Sequence, residues 1–318
     1  MKKRNVIYPL ALAVFAFTMI SCNGDEVPVK CKLTHLTLQE RLISNGNVFG
    51  DTINLQLTYN AQGRLSEIIE HDEEMRTVVH YDNYGRVIKL EEFWSGLSIF
   101  ELRLSWTNNE ATITSFYRTQ GGDLVQENFK AEMQFNAEDQ ITRMDYYERP
   151  TTTGAWELAG YELYSWQNNN VVKQEFHYVV SPASQEKENI LKPNQADRMA
   201  GWGLRHLMQK RKPIKESMLK SFPNSTALSG TITFTYDSNK NPFANPLGLM
   251  YIIGWDPASL FSANNVLSYT VLWVGDSPRT ITLTYTYNEE GYPLSRSLNE
   301  VTGWGQNIEK WNFTYECN

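Results

Sequence analysis

The residues of this chain that could do chemistry are few and scattered. Five histidines, His35, His71, His80, His177 and His206, share no metal-ligand spacing such as H-x-H or H-E-x-x-H. The densest titratable run, "HDEE" from His71 to Glu74, joins two strand-like segments and is expected in an exposed turn rather than around a metal. Glu91 and Glu92 are adjacent, so within a strand they point to opposite faces and make a poor acid–base pair. The stretch "HYDNYGRVIKL", His80 to Leu90, sets His80, Asp82 and Arg86 close together. G-x-S-x-G and P-loop signatures are absent, so no catalytic residue and no cofactor is assigned. Carboxylates that converge only in space stay open as a third reading, a glycan-processing enzyme.

Binding has better candidates. Aromatics make up 13% of the chain, and Trp94 ("EFWSG"), Trp156 ("TTTGAWE"), Trp202 and Trp304 (each in "GWG") sit beside turn residues. Flat rings on loops are what sugar faces or protein partners stack against. The same rings could instead cap strand ends.

The chain ends give an address. Lys2, Lys3 and Arg4 precede an apolar run from Val6 to Ile20, too short and wrongly flanked for a spanning helix and suited to a signal peptide. It ends in "MISC", which resembles a bacterial lipobox; the resemblance implies cleavage before Cys22 and a lipid on its thiol, with Met19 in place of the usual leucine. The expected division is a signal peptide at 1–21, a lipidated tether at 22–30 and one domain at 31–318. Acyl chains hold a protein on a bilayer at about 0.8 kcal/mol per buried CH₂ without a spanning segment. The acidic "NGDE" after Cys22 resembles the signal that sends Bacteroidota-type lipoproteins to the outer face of the outer membrane; the alternative is a plain solvated tether. Without Lys2, Lys3 and Arg4 the 29 basic residues become 26 against 36 acidic, a net charge near −10. No nucleic-acid partner is expected of so acidic a chain. Cys31 and Cys317 remain, and in an oxidising compartment they are expected to pair. Closing so long a loop has a ceiling of roughly 5 kcal/mol.

A repeated unit must position all of this. Tyr59 begins "YNAQGRL", Tyr81 "YDNYGRV" and Tyr287 "YNEEGYPL", with degenerate copies after Trp106, Phe135, Trp166 and Tyr236. Each has an aromatic, a polar run, a tight turn and a return segment. Gly63, Gly85, Gly291, Asp139 and Asn170 stand four residues after the aromatic, where a hairpin loop needs positive φ. Glu110 and Lys240 break the rule, which predicts turns shifted by one residue, onto Asn109 or Asn239. The entering segments alternate: Ile53, Leu55, Leu57 and Tyr59 share a face, as do Phe129, Ala131, Met133 and Phe135, then Ile281, Leu283, Tyr285 and Tyr287, and Trp311, Phe313, Tyr315 and Cys317. Period two means antiparallel strands with one buried face, and each anchoring aromatic is the last core residue before its turn.

The turn pattern resembles the YD repeats of RHS-type proteins, and more closely Bacteroidota-type lipoproteins of unknown function that join a lipobox to degenerate YD-like hairpins. That family supplies no assigned catalytic residues. The expected fold is all-β: a long antiparallel meander of repeated hairpins curled into an open or closed barrel-like sheet. A short helical insertion is expected at about 183–222, broken by Gly201, Gly203 and Pro213. It carries a basic cluster, Arg205, Lys210, Arg211, Lys212, Lys215 and Lys220, which could meet an anionic partner or simply form a solvated face. The function expected is that of a membrane-anchored, surface-exposed binding module for a glycan or protein partner, the alternative being a carrier of a hydrophobic ligand inside the curled sheet.

Overall fold

The computed structural model describes residues 31–44, 47–72, 74–119, 121–149, 154–179, 226–243, 257–302 and 305–317. Cys22 and its tether, the expected helical insertion with His206 and Trp202, and Trp304 all lie outside them. The chain runs as β1 (Cys31–Ser44), β2 (Asn47–Tyr59), β3 (Leu65–Glu70), β4 (Met75–Tyr81), β5 (Val87–Trp94) and β6 (Leu97–Thr107). It continues as β7 (Glu110–Arg118), β8 (Leu124–Phe135), β9 (Ile141–Glu148), β10 (Glu157–Gln167), β11 (Asn170–Val179) and β12 (Thr226–Lys240). A short helix, α1 (Pro257–Phe261), precedes β13 (Asn264–Trp273), β14 (Arg279–Tyr287), β15 (Pro293–Thr302) and β16 (Gly305–Cys317). Each strand pairs antiparallel with its sequence neighbours, and β16 closes on β1, giving a 16-stranded closed barrel. The expected meander is therefore present and the closure left open by the sequence is complete. Cys31 and Cys317 face each other across the closing pair and are joined by a disulfide with an S–S bond of 2.01 Å.

The repeated unit explains one end of the barrel. Asn60 donates its N–H to the Arg64 carbonyl (2.8 Å), Gly63 donates to the Asn60 carbonyl (2.9 Å), and Asn60 Oδ1 accepts the N–H groups of Gln62 and Arg64. Asp82 and Asn136 repeat this pattern in full, and Asn288 repeats all but one bond of it. The residue that closes each turn takes positive φ: 78° at Gly63, 83° at Gly85, 58° at Asp139 and 82° at Gly291. The degenerate copies depart from expectation. After Trp166 the positive φ falls on Asn168 and Asn169, and Asn170 is already paired with Gln167, so two residues make the turn. After Trp106 it falls on Asn108, between paired Thr107 and Glu110, and not on Asn109. After Tyr236 there is no such turn. Asp237 Oδ1 takes the N–H of Asn239 and Asn265, while Lys240 donates to the Gly291 carbonyl, so β12 stays extended and Asn239 keeps negative φ.

These turns, both strand termini and α1 lie at one end, called the anchor end here; the remaining hairpin tips form the opposite rim. Helix α1, not foreseen in the sequence, buries Ala258 and Leu260 completely, and Ser262 just after it accepts the Val171 N–H at 3.0 Å. Alternating residues converge inward into one apolar cluster, from Leu33, Leu36 and Leu55 round to Phe313. Leu36, Ala131, Met133, Met144 and Val171 have no exposed surface, and Phe243 packs its ring against Trp311 and Phe313 inside this end.

The outer face is polar. Lys89–Glu91 (2.6 Å), Arg103–Glu101 (2.7 Å) and Arg143–Asp145 (2.6 Å) are ion pairs between residues two apart on one strand face. Further round, Thr270–Thr280, Thr284–Ser297 and Thr286–Ser295 bond hydroxyl to hydroxyl across strands at 2.6–2.7 Å. A transmembrane barrel shows lipid an apolar band and keeps polar groups inside. Over the anchor half, where the inward face is the apolar one, that polarity is reversed, the arrangement expected where a barrel wall meets water.

Candidate functional site

The inward face changes character along the barrel axis. Toward the anchor end it is apolar; toward the rim it becomes acidic. In-register partners share a face, which puts Glu40 and Glu309 opposite each other, Glu70 beside Leu55, Glu92 beside Thr77 and Glu162 beside Met144 and Phe176, all facing inward. Glu300 pairs in register with Asn307 on the same face, and Glu127 reaches inward to accept the Ser115 hydroxyl at 2.7 Å. Glu92, Glu162 and Glu309 are nearly fully buried. Glu162 accepts bonds from the Tyr164 hydroxyl and from Gln174 Nε2 (2.7 Å); burial, then the Glu162 charge, push the Tyr164 hydroxyl well above its ordinary pKa, fixing it as donor. Inward cations on the described strands are Arg279, paired with Glu300, and Arg296, 3.2 Å from Glu309 and 3.7 Å over the Trp311 ring. Among the described residues no group of three or more histidines, cysteines and carboxylates could hold a metal.

Around this acidic wall the rim exposes apolar side chains. Trp94 is 56% and Leu97 72% exposed at the tip between β5 and β6, and Tyr117 is 43% exposed beside them. Trp94 pairs with Met75 and Leu97, and Tyr117 with Phe100, all in the inward register, so these three form a lip over the interior. Val48, Val274 and Val301 continue the exposed apolar rim at three other hairpin tips.

The structure sorts the sequence candidates. Trp94 is on the lip. Trp156 is half-buried, with the Arg149 guanidinium 4.5 Å from its ring centre and Lys130 at 5.6 Å, so its faces are already covered. Strands β6 to β9 separate the two in the chain and in the sheet, and no common platform joins them. Glu91 and Glu92 do point to opposite faces: Glu91 lies outside with Lys89 and His80, Glu92 inside. His71 and Asp72 lie in an exposed turn, where Asp72 accepts Asn54 Nδ2 at 2.8 Å. Asp82 and Arg86 form an ion pair that buttresses the turn. His80, 3.5 Å from Glu91, is held below its ordinary pKa by burial and by Lys89. The acidic inner wall and Leu97, Tyr117 and the three valines went unread in the sequence.

No family model matches the chain, and no curated protein matches it. Among solved structures it is similar to a porin-like protein from Bacteroides uniformis, at 12% identity and a TM-score of 0.40 over 89% of this chain and 98% of that one. A porin-like protein from Bacteroides vulgatus is similar at 8% identity and a TM-score of 0.36, over 90% and 98%. The TcdB2–TccC3 structure matches at 10% identity and a TM-score of 0.24 over 87% of this chain, which spans 15% of that one. At these scores none of the likenesses assigns a function.

Proposed function

We propose that this chain is a lipid-anchored, surface-exposed binding module of the outer membrane that presents its rim to a glycan or protein partner. The observation that carries the reading is the position of the barrel's entry point. Cys31 starts β1 at the anchor end, nine residues after the lipobox-like Cys22. A tether that short reaches at most about 30 Å, so the anchor end stays near the bilayer and the apolar rim points away from it. Exposed apolar side chains at successive hairpin tips are costly for solubility and mark an interaction surface. The carrier reading draws no support from the anchor half, where the inward side chains are buried in one apolar cluster. The acidic "NGDE" run supports display on the outer face.

Two measurements test this. Cys22→Ala should move the protein from the membrane fraction to the soluble one; retention in the membrane would sink the anchor. The soluble domain from Asn23 should bind a defined set of ligands on a glycan array or in a pull-down, and Trp94→Ser with Leu97→Ser should weaken that binding at least about tenfold, the effect expected of aromatic contact residues. Equal binding by the double variant would remove the lip from the site.

A further inference from the structure

Strands in a regular ladder lie about 4.8 Å apart and leave no room between them. Between β11 and β12 the ladder stops short of the anchor end. Its register runs from Val179–Thr226 to Lys173–Thr233, and a bulge against β10 makes Val172 an extra residue on β11. Beyond that point the residues after α1 bridge the two strands. Ala263 donates its N–H to the Asn169 carbonyl at 2.9 Å, and the Tyr236 hydroxyl donates to the Val171 carbonyl. Asn170 Nδ2 donates to Asn264 Oδ1 and the Asn264 N–H to Asn170 Oδ1, each at 3.0 Å. Beside this bridge lies a groove of about 460 Å³, within the roughly 300–1,000 Å³ of small-molecule sites.

The groove has two chemistries. Val172 and Phe234 line it, both half-buried, and make its apolar part. Gln167, Asn168 and Ser238 are exposed along it, and among the described residues none of these three side chains is engaged in a hydrogen bond. Asp237 lines it too, with its oxygens taken by the Asn239 and Asn265 N–H groups, the Asn265 amide and the Tyr287 hydroxyl.

This lining selects a ligand class. No Lys, Arg or His borders the groove, so an anion would find no counter-charge. Its one carboxylate is already held by four donors, which makes a poor metal site. A wholly apolar ligand would strip water from the two amides and the hydroxyl without replacing it. A sugar ring answers each demand. An amide offers a donor and an acceptor to neighbouring hydroxyls, and an aromatic ring takes the C–H face. The reciprocal Asn170–Asn264 bonds hold the site's shape before the ligand arrives.

We infer that the seam between β11 and β12 is a subsite for a neutral pyranose ring, with Gln167, Asn168 and Ser238 on its hydroxyls and Phe234 against its C–H face. It stands at the end of the barrel opposite the lip, so it depends neither on what the lip binds nor on the anchor.

An array of neutral oligosaccharides of glucose, galactose, mannose and N-acetylglucosamine, with glucosyl and galactosyl diacylglycerol beside them, tests this on the intact protein. At least one saccharide should bind, and its Kd should rise at least about tenfold when Gln167→Ala, Asn168→Gly and Ser238→Ala are combined. All three positions are exposed, and glycine keeps the φ of 51° at 168, so the fold is spared. Phe234→Leu, which keeps an apolar side chain but removes the flat ring, should also weaken binding; if it fails to fold, the triple variant decides. Trp94→Ser with Leu97→Ser should leave this saccharide's Kd unchanged. Binding to oligosaccharides or to glycolipids supports the site equally and names the source of the sugar. Silence across the array would overturn the inference, as would binding that survives the triple variant. Loss in the lip variant alone would assign the saccharide to the lip and leave the seam without a ligand.

Discussion

The aromatic anchors carry polar tips because each tip has a fixed acceptor. Tyr59 donates to the Leu33 carbonyl, Tyr81 to Leu65, Trp106 to Val87, Trp166 to Ile141 and Tyr315 to Pro293, at 2.7–2.8 Å, and Tyr236 donates to Val171. In most copies the acceptor is the first residue of a return strand, so each repeat staples the one before it. Burial raises the Tyr59 and Tyr81 hydroxyls to about 12, so they remain donors throughout the physiological range. Tyr81→Phe leaves a buried carbonyl without its donor and should cost about 1 kcal/mol, equally at pH 6 and pH 9. Thermal unfolding should show a drop of about 2–4 °C. At Asp82, burial pulls the carboxyl pKa up, but the Arg86 N–H and guanidinium and the Tyr84 N–H outweigh it and hold the group below the usual range. An acid whose folded pKa is depressed contributes stability above its unfolded pKa, lost as pH falls through the folded value. Asn60, Asn136 and Asn288 do the same turn with a neutral amide. Asp82→Asn should therefore cost under about 1 kcal/mol at pH 7 and flatten the acid limb below about pH 4. Asp82→Ala, which removes the acceptor of two backbone amides, should cost about 1–2 kcal/mol. Urea midpoints at pH 7 and pH 3 distinguish them, and equal losses for Asn and Ala would refute the role given to Oδ1.

At the scale of elements, hydrogen-bonded alternation was legible and interior polarity was not. Leu55, Leu57, Ala131, Met133, Ile281, Leu283, Trp311 and Phe313 are all buried, as their spacing requires. That spacing is counted from an anchor, and it holds only while the ladder is regular. Register shifts at Thr58/Tyr59, Glu92/Phe93, Thr114/Phe116 and Phe176/His177 break the count between anchor and rim. A glutamate near the rim thus cannot be given a face from sequence alone, and the acidic wall stayed hidden. The two-residue turn at Asn168–Asn169 was missed for a related reason: Asn tolerates positive φ at any of three successive positions, and pairing of Gln167 with Asn170 decides which. One close approach was equally invisible. Gly230 on β12 faces Trp273 on β13, whose ring packs against Phe176 at 5.3 Å, and a Cβ at 230 would lie 2.1 Å from a ring carbon. Gly230→Ala must displace that indole and should cost about 1–3 kcal/mol. A lowered denaturation midpoint with a shifted tryptophan emission would show it; a neutral change would mean the ring swings aside freely.

For the whole molecule the decisive quantity is the sign of the polarity. Sixteen antiparallel strands closed on themselves are enough to span an outer membrane, so strand count alone does not separate a channel from a soluble barrel. The side chains do. Arg103, Arg143, Lys89 and Lys130 sit on the outer face of central strands with their acids, and each Lys or Arg at a bilayer midplane costs about 2–4 kcal/mol. Those penalties add over four strands, while the apolar residues that could repay them point inward and are already covered. Insertion would expose charge to lipid and gain nothing. On the lipid anchor proposed above, the bilayer is reached through Cys22, and the barrel body should behave as a water-soluble protein. The chain from Asn23, exported to an oxidising compartment so that Cys31 and Cys317 pair, is expected to stay in the supernatant after ultracentrifugation without detergent and to give a β-rich circular dichroism spectrum. On the same proposal the full-length chain, lipidated at Cys22, should need detergent for release. Sedimentation of the truncated chain with membranes, or its purification only in micelles, would show that some part of the barrel surface meets lipid and that the outer face has been assigned the wrong solvent.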